Sequence, residues 1–262
     1  MTPNTSRTVV PTPRLWRLED PVGDFPYYKG VPVWISGRQW LFVMAAVAAA
    51  FLVLVLPISW PGGPFAALIP ATLFAAIPLA ALALVAPSHW KAIFGKVGGR
   101  ELRLMLGFAL LNIVVSLGVG VIVRAVADVT PNAAAEMLSG IDTTGRILFF
   151  AKTIPQLLGE ELVTILPFLA LMYLLTNRLG VGRRGAIIGA WLISALVFGL
   201  IHLPTYDWNL IQCIVVIGTA RLVLTLPWIL TKNIWVSTGA HIINDWLLLG
   251  GVVLGAGLLG KV

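Results

Sequence analysis

The sequence predicts an all-α, polytopic transmembrane helical bundle of about seven spans (six to eight), and three observations predict it. Hydrophobic residues make up 58% of the 262-residue chain and charged residues 11%, whereas a soluble domain carries about a quarter charged residues. Mean hydropathy is +0.94. Apolar runs long enough to cross a bilayer, about 20 residues each, recur along the chain between short polar breaks.

In order, residues 1–39 read as an irregular cytoplasmic N-terminal tail. The tail holds charges of both signs and Pro3, Pro11, Pro13, Pro21, Pro26 and Pro32. It has no short apolar core followed by a small-residue cleavage site. Tyr27, Tyr28, Trp34 and Trp40 suit a membrane interface. Spans are expected near 40–59, 65–87, 103–123, 147–176, 185–203, 209–230 and 234–257. The fourth is long for one crossing and contains Pro155, which predicts a kink or an interfacial first turn. Only "TKN" at 231–233 separates the last two. Residues 40–146 read as an N-terminal membrane part, 147–257 as a core that carries the chemistry, and 258–262 as a C-terminal tail.

The formal net charge is +7. No nucleic-acid module accompanies it, so nucleic acid is not an expected partner. The basic residues gather instead in alternate loops: Arg7, Arg14, Arg17, Lys29 and Arg38; Lys91, Lys96, Arg100 and Arg103; Arg178, Arg183 and Arg184. That alternation predicts a multi-pass plasma-membrane protein with a cytoplasmic N-terminus. The lone Cys213 lies in an apolar run and reads as a small apolar residue.

Within the apolar runs stand Glu160, Glu161, His202, Arg221, His241 and Asp245. A carboxylate near mid-bilayer costs about 2.5–3.5 kcal/mol on insertion scales, so each such residue needs a partner, a wet cavity or a function. His241 and Asp245 share one helix face, with Asn244 beside them. Glu160 and Glu161 point about 100° apart, so Glu160 is expected in the cavity and Glu161 to matter less. Two histidines with carboxylates suit zinc or a similar metal. They equally suit metal-free acid–base chemistry on water. His89, after a proline, reads as an ordinary surface histidine.

Three short motifs follow one another: "GEEL" at 159–162, "FGLIH" at 198–202 and "HIIND" at 241–245. In order and spacing they resemble the CAAX-processing and bacteriocin-processing (Abi-type) intramembrane proteases, over residues 147–250. The resemblance implies an endopeptidase acting on a peptide or lipidated peptide in contact with membrane lipid, its site in a cavity between the C-terminal spans. It implies that Glu160, with Glu161 beside it, activates water together with His202. It also implies that His241 and Asp245 stabilise the oxyanion, and that zinc, where bound, uses His202, His241 and Glu160. The family's first motif often ends in arginine; Ile165 stands at that place here, and Arg221 is the nearest basic residue on a later span.

Two other classes remain open at this point. Intramembrane Glu, His and Asp also build the relays of proton-coupled transporters and channels. A catalytically silent, immunity-like member would keep the motifs without the reaction. The discriminator is convergence, and straight spans argue against it. From their cytoplasmic ends Glu160 and His202 lie about 24–26 Å deep and His241 about 10 Å.

Overall fold

Helix α5 (Thr143–Tyr173) is the axis around which the rest is arranged, and Leu174–Arg178 continue it as a π turn. Asp142 starts it by accepting a hydrogen bond from the Gly145 N–H at 2.8 Å. It runs as one continuous helix through Pro155 and Pro167. Of its apolar stretch 67% is buried, against 17% for the peripheral α3 (Gly99–Val126). The computed structural model describes residues 14–16, 19–20 and 23–259, without the side chains of 252 and 254–259. Pro3, Pro11, Pro13, Pro21, Arg7, Arg17 and residues 260–262 lie outside that range.

Helix α1 (Gly37–Val55) opens on a reciprocal cap. Ser36 Oγ accepts from the Gln39 N–H at 3.4 Å, and Gln39 Oε1 accepts from the Ser36 N–H at 2.8 Å. Helix α2 (Leu68–Val85) packs between α1 and α5. Across α5 lie α6 (Arg183–Ile201), α7 (Gly218–Thr231) and α8 (Ile234–Leu259), with α3 against α7 and α8. Gln212–Ile217 lead into α7 as a π turn. The stretch between α3 and α5 folds into a short helix, α4 (Ala133–Gly140), which rests on α8. Among the described residues six helical segments are long and apolar enough to cross a membrane, and α8 follows them. The chain is an all-helical, integral membrane protein whose outer helix faces meet lipid.

The tail departs from expectation in its placement. Tyr27 and Tyr28 are fully buried and Trp40 nearly so; only Trp34 is exposed, so three of the four aromatics expected at an interface sit in the core. The cause is a polar strap. Arg183 Nη2 lies against Glu19 and 2.9 Å from Asp24 Oδ1, and Lys232 Nζ lies 2.9 Å from Glu19 Oε1. Burial pushes the Glu19 carboxyl up, but the Arg183 and Lys232 bonds outweigh it and hold it below its ordinary range. Between these ion pairs Phe25 wedges onto Phe168 (5.3 Å) and Trp228 (6.1 Å).

The expected mismatch in depth does not keep His241 from the glutamates, since it lies 2.9 Å from Glu161 and 3.8 Å from Glu160. Phe25 marks one level on α5 and α7, at Phe168 and Trp228. Glu161 and Arg221 each lie seven residues inward from it, about 10 Å along their helices. Expected depths were counted from residue 176, yet the last turns of α5 rise beside the buried tail. Lys232, in the left-handed region at φ 53°, turns the chain from α7 into α8. Asn233 then pins the turn. Its Oδ1 accepts from Gly95 N–H (2.9 Å) and Trp235 N–H (3.1 Å), and its Nδ2 donates to Lys96 C=O (3.0 Å).

Candidate active site

Two close helix approaches set the site. At Gly159, one residue before the glutamate pair, a Cβ would sit 2.3 Å from Phe74 Cδ1 of α2. At Gly239, two residues before His241, a Cβ would sit 2.5 Å from Met105 Sδ of α3. Glycine at these two places lets the helices approach closely just ahead of the ionisable residues, most strictly at Gly159, where the neighbour is a rigid ring.

Glu161 and His241 then meet. His241 Nδ1 lies 2.9 Å from Glu161 Oε1, across 80 residues of sequence. Arg221 Nη1 lies 2.7 Å from the same oxygen, and the side chains of Glu161 and Arg221 are fully buried. Arg221 also bonds Thr225 Oγ1 through Nε at 3.2 Å and stacks its guanidinium 4.9 Å from the Phe198 ring. Glu161 Oε2 and Arg221 Nη2 have no hydrogen-bond partner among the described residues. The charge facing the first motif therefore comes from Arg221 on α7, while Ile165 is a buried apolar contact.

A carboxylate oxygen only accepts, so the His241 proton on this side sits on Nδ1 and is donated to Glu161. The other nitrogen, Nε2, points the opposite way. It lies 3.8 Å from Glu160 Oε2 and 3.7 Å from Asp245 Oδ1. These distances exceed a hydrogen bond and leave room for a bridging water or a substrate atom. Glu160 retains 14% side-chain exposure and Asp245 30%; both line a cavity of about 360 Å³ with Lys152, Gln156 and Asn132. Gln156 Nε2 donates to Glu160 Oε1 at 3.2 Å. Asn244 Nδ2 donates to Asp245 Oδ1 at 2.9 Å, and Asn112 Nδ2 on α3 donates to Asn244 Oδ1 at 3.0 Å.

His202 ends α6 and stands beside this cluster rather than within it. Its Nδ1 lies 2.8 Å from the Phe198 carbonyl of its own helix. A carbonyl only accepts, so Nδ1 carries the proton and Nε2 keeps its lone pair. Phe198 separates the two histidines, with ring centroids 4.5 Å from His202 and 6.5 Å from His241. Among the described residues no hydrogen bond or ion pair joins His202 to Glu160, and no group of three or more His, Cys, Asp or Glu side chains could hold a metal ion. As arranged, His202, His241 and Glu160 do not enclose a tetrahedral ion.

Asn132, on the cavity wall, is held by the polypeptide around it. Gln212 exchanges hydrogen bonds with Thr130 (2.8 and 2.9 Å), and Asn132 Nδ2 donates to Tyr206 Oη at 3.3 Å. Burial, and after it the Asp245 carboxylate, push the Tyr206 phenol up to about 12, so this hydroxyl stays neutral. Sequence reasoning passed over Lys152, Gln156 and Asn112. Lys152, Gln156 and Glu160 recur every fourth residue, which on a helix is one stripe, and Asn112 is the single amide in the run "ALLNIVV". Those spacings were the available signals.

Residues 144–247 match the family model described as type II CAAX prenyl endopeptidase, Rce1-like. No curated protein and no solved structure matches the chain.

Proposed function

We propose, from the match of residues 144–247 to the Rce1-like type II CAAX prenyl endopeptidase model, that the chain is an intramembrane endopeptidase cutting a peptide or lipidated peptide. One observation carries the reading. Glu160 and Asp245 line a cavity and stand 3.8 and 3.7 Å from His241 Nε2 behind them, while Glu161, backed by Arg221, holds the other side of the imidazole.

In this mechanism Glu160 takes a proton from a water in the gap. The resulting hydroxide attacks the carbonyl carbon of the scissile peptide. Glu160 then delivers that proton to the leaving amine, so one carboxylate serves as base and then as acid. His241, with Nδ1–H committed to Glu161, has Nε2 aimed at the space where charge develops on the carbonyl oxygen. When Nε2 also carries a proton it is a fixed donor to that oxygen. Asp245 orients Nε2 from the next turn, and Asn112 and Asn244 orient Asp245. His202 Nε2 is an acceptor available to water or to a substrate N–H.

A proton pathway would string its ionisable groups along the membrane normal, and a silent member would have no need of an open gap. The compact pairing of Glu160, His241 and Asp245 favours hydrolysis over both. The test is cleavage of prenylated and unprenylated peptides by purified protein in proteoliposomes. Glu160→Gln is expected to lower kcat by about 10²–10⁴, the span of general-base contributions, with thermal unfolding unchanged. Retention of full activity by Glu160→Gln would remove the mechanism. Equal cleavage of both peptides would remove the lipidated substrate class while leaving the peptidase.

A further inference from the structure

A second cavity lies away from the carboxylates, between the first turns of α1, the C-terminal half of α5, and α6. It measures about 630 Å³, and Leu41, Met44, Pro167, Leu171, Ile193 and Val197 line its apolar length. Leu41, Ile193 and Val197 are exposed, so the groove opens sideways on the lipid-facing surface. There the surrounding phase is acyl chain, not water. From Arg178 to Pro167 it follows eleven residues of α5, about 16 Å. One leaflet of hydrocarbon is about 15 Å deep.

The mouth of the groove is polar. Arg38, Arg178 and Tyr173 line it. Tyr173 is only 5% exposed, and among the described residues its hydroxyl has no hydrogen-bond partner. That hydroxyl and the Arg178 guanidinium converge on Gly37. A Cβ there would lie 3.5 Å from Tyr173 Oη and 3.7 Å from Arg178 Nη2. Neither Arg38 nor Arg178 forms an ion pair among the described residues, whereas Arg183, Lys232 and Arg100 are all engaged by carboxylates. Trp34 packs edge-on against Tyr173 at 5.6 Å and is half exposed, as interfacial aromatics are.

Basic residues at a membrane interface ordinarily do no more than orient the chain. Here the hydroxyl of a largely buried tyrosine opens at the end of an acyl-length groove beside two guanidiniums that have no ion pair among the described residues. We propose that this groove binds one anionic phospholipid. An acyl chain lies along α5, the two non-bridging phosphodiester oxygens accept from the forked N–H groups of Arg38 and Arg178, and the Tyr173 O–H donates to one of the same two oxygens. A zwitterionic lipid fits the groove equally well, but brings its ammonium group beside two arginines. Selectivity for the anionic headgroup follows from that repulsion.

The test is native mass spectrometry of the full chain after exchange against an equimolar mixture of phosphatidylglycerol and phosphatidylcholine with matched acyl chains. The wild type is expected to retain one phosphatidylglycerol over phosphatidylcholine by roughly tenfold. The double variant Arg38→Gln/Arg178→Gln is expected to lose that preference. Tyr173→Phe, which keeps the ring and its packing, is expected to lower retention of both lipids roughly threefold and leave the preference intact, since both carry the phosphodiester to which the hydroxyl donates. Thermal unfolding in detergent verifies that both variants fold. The control Lys91→Gln/Lys96→Gln removes two charges from another loop and is expected to leave the preference intact. Equal retention of both lipids by the wild type, or equal loss in the control, would overturn the site. So would displacement of the bound lipid by inorganic phosphate, since an acyl chain in the groove resists it.

Discussion

Arg221 acts on the site from behind, through Glu161 and His241, and its removal tests that chain of contacts. Arg221→Leu leaves the Glu161 carboxylate buried without its guanidinium, and Glu161→Gln leaves the guanidinium alone. Each is expected to destabilise by about 3–5 kcal/mol. The effect expected from the sequence, that Glu161 matters less than its neighbour, thus changes: it matters less to water but more to the fold. In a double-mutant cycle read by thermal unfolding, the pair is expected to cost clearly less than the sum of the singles. Strict additivity would show that the two do not interact. The metal question belongs at the same scale. Because His202 donates Nδ1–H to its own helix and stands apart from the carboxylates, a chelator is expected to leave Glu160-dependent cleavage intact. Loss of cleavage restored by zinc would instead require His202 to swing into the gap. The residue types of the cluster were legible as ionisable groups in apolar runs. The pairing of Glu161 with Arg221 was not, because the two lie 60 positions apart and no periodicity links separate helices.

Helices α2 and α5 touch at Gly159, and this is where a single methyl group would be felt. Gly159→Ala places a Cβ against the ring of Phe74, with an expected overpacking cost of about 1–3 kcal/mol. The added variant Phe74→Leu is expected to recover most of it. Failure of that rescue in a thermal melt would mean that the contact does not set the helix spacing. The strap over α6 and the α7–α8 turn gives a pH signature. Glu19 titrates in the folded chain below its ordinary value of 4.5. Its stabilisation is therefore complete above about pH 4.5 and is lost as pH falls through the lower folded value. Wild type is expected to lose stability on acidification below about pH 4.5 more steeply than Glu19→Gln; parallel curves would refute the assignment. Helix positions were readable because apolar runs of fixed length force them. The strap was not, because its residues are proline-flanked and polar, and only the burial of Phe25 between Phe168 and Trp228 explains why that stretch orders.

For the molecule as a whole, the sequence carried the helical membrane class and the three motif segments. It misjudged their relative depth, since the levels of Phe168 and Trp228 are fixed by a tail residue that no hydropathy profile registers. The hydrogen bonds that join Thr130 to Gln212 and Asn132 to Tyr206 were equally hidden, because these are ordinary loop and turn residues until the fold brings them together. The same tail has a consequence for the order of biosynthesis. Glu19 bonds Arg183 across 164 residues and Lys232 later still. A ribosome-bound chain has therefore made four of its long helices before Glu19 meets its first cation, and α6 and α7 with its turn before it meets the second. Until then the segment ahead of α1 is tied to earlier parts of the chain by Tyr27 Oη, which donates to the His89 and Trp90 carbonyls, and by Asp20 beside Arg100, while Glu19 waits for its cations. Resistance of residues around Glu19 to an added protease is thus expected to rise last, once α6 and the α7–α8 turn have been made.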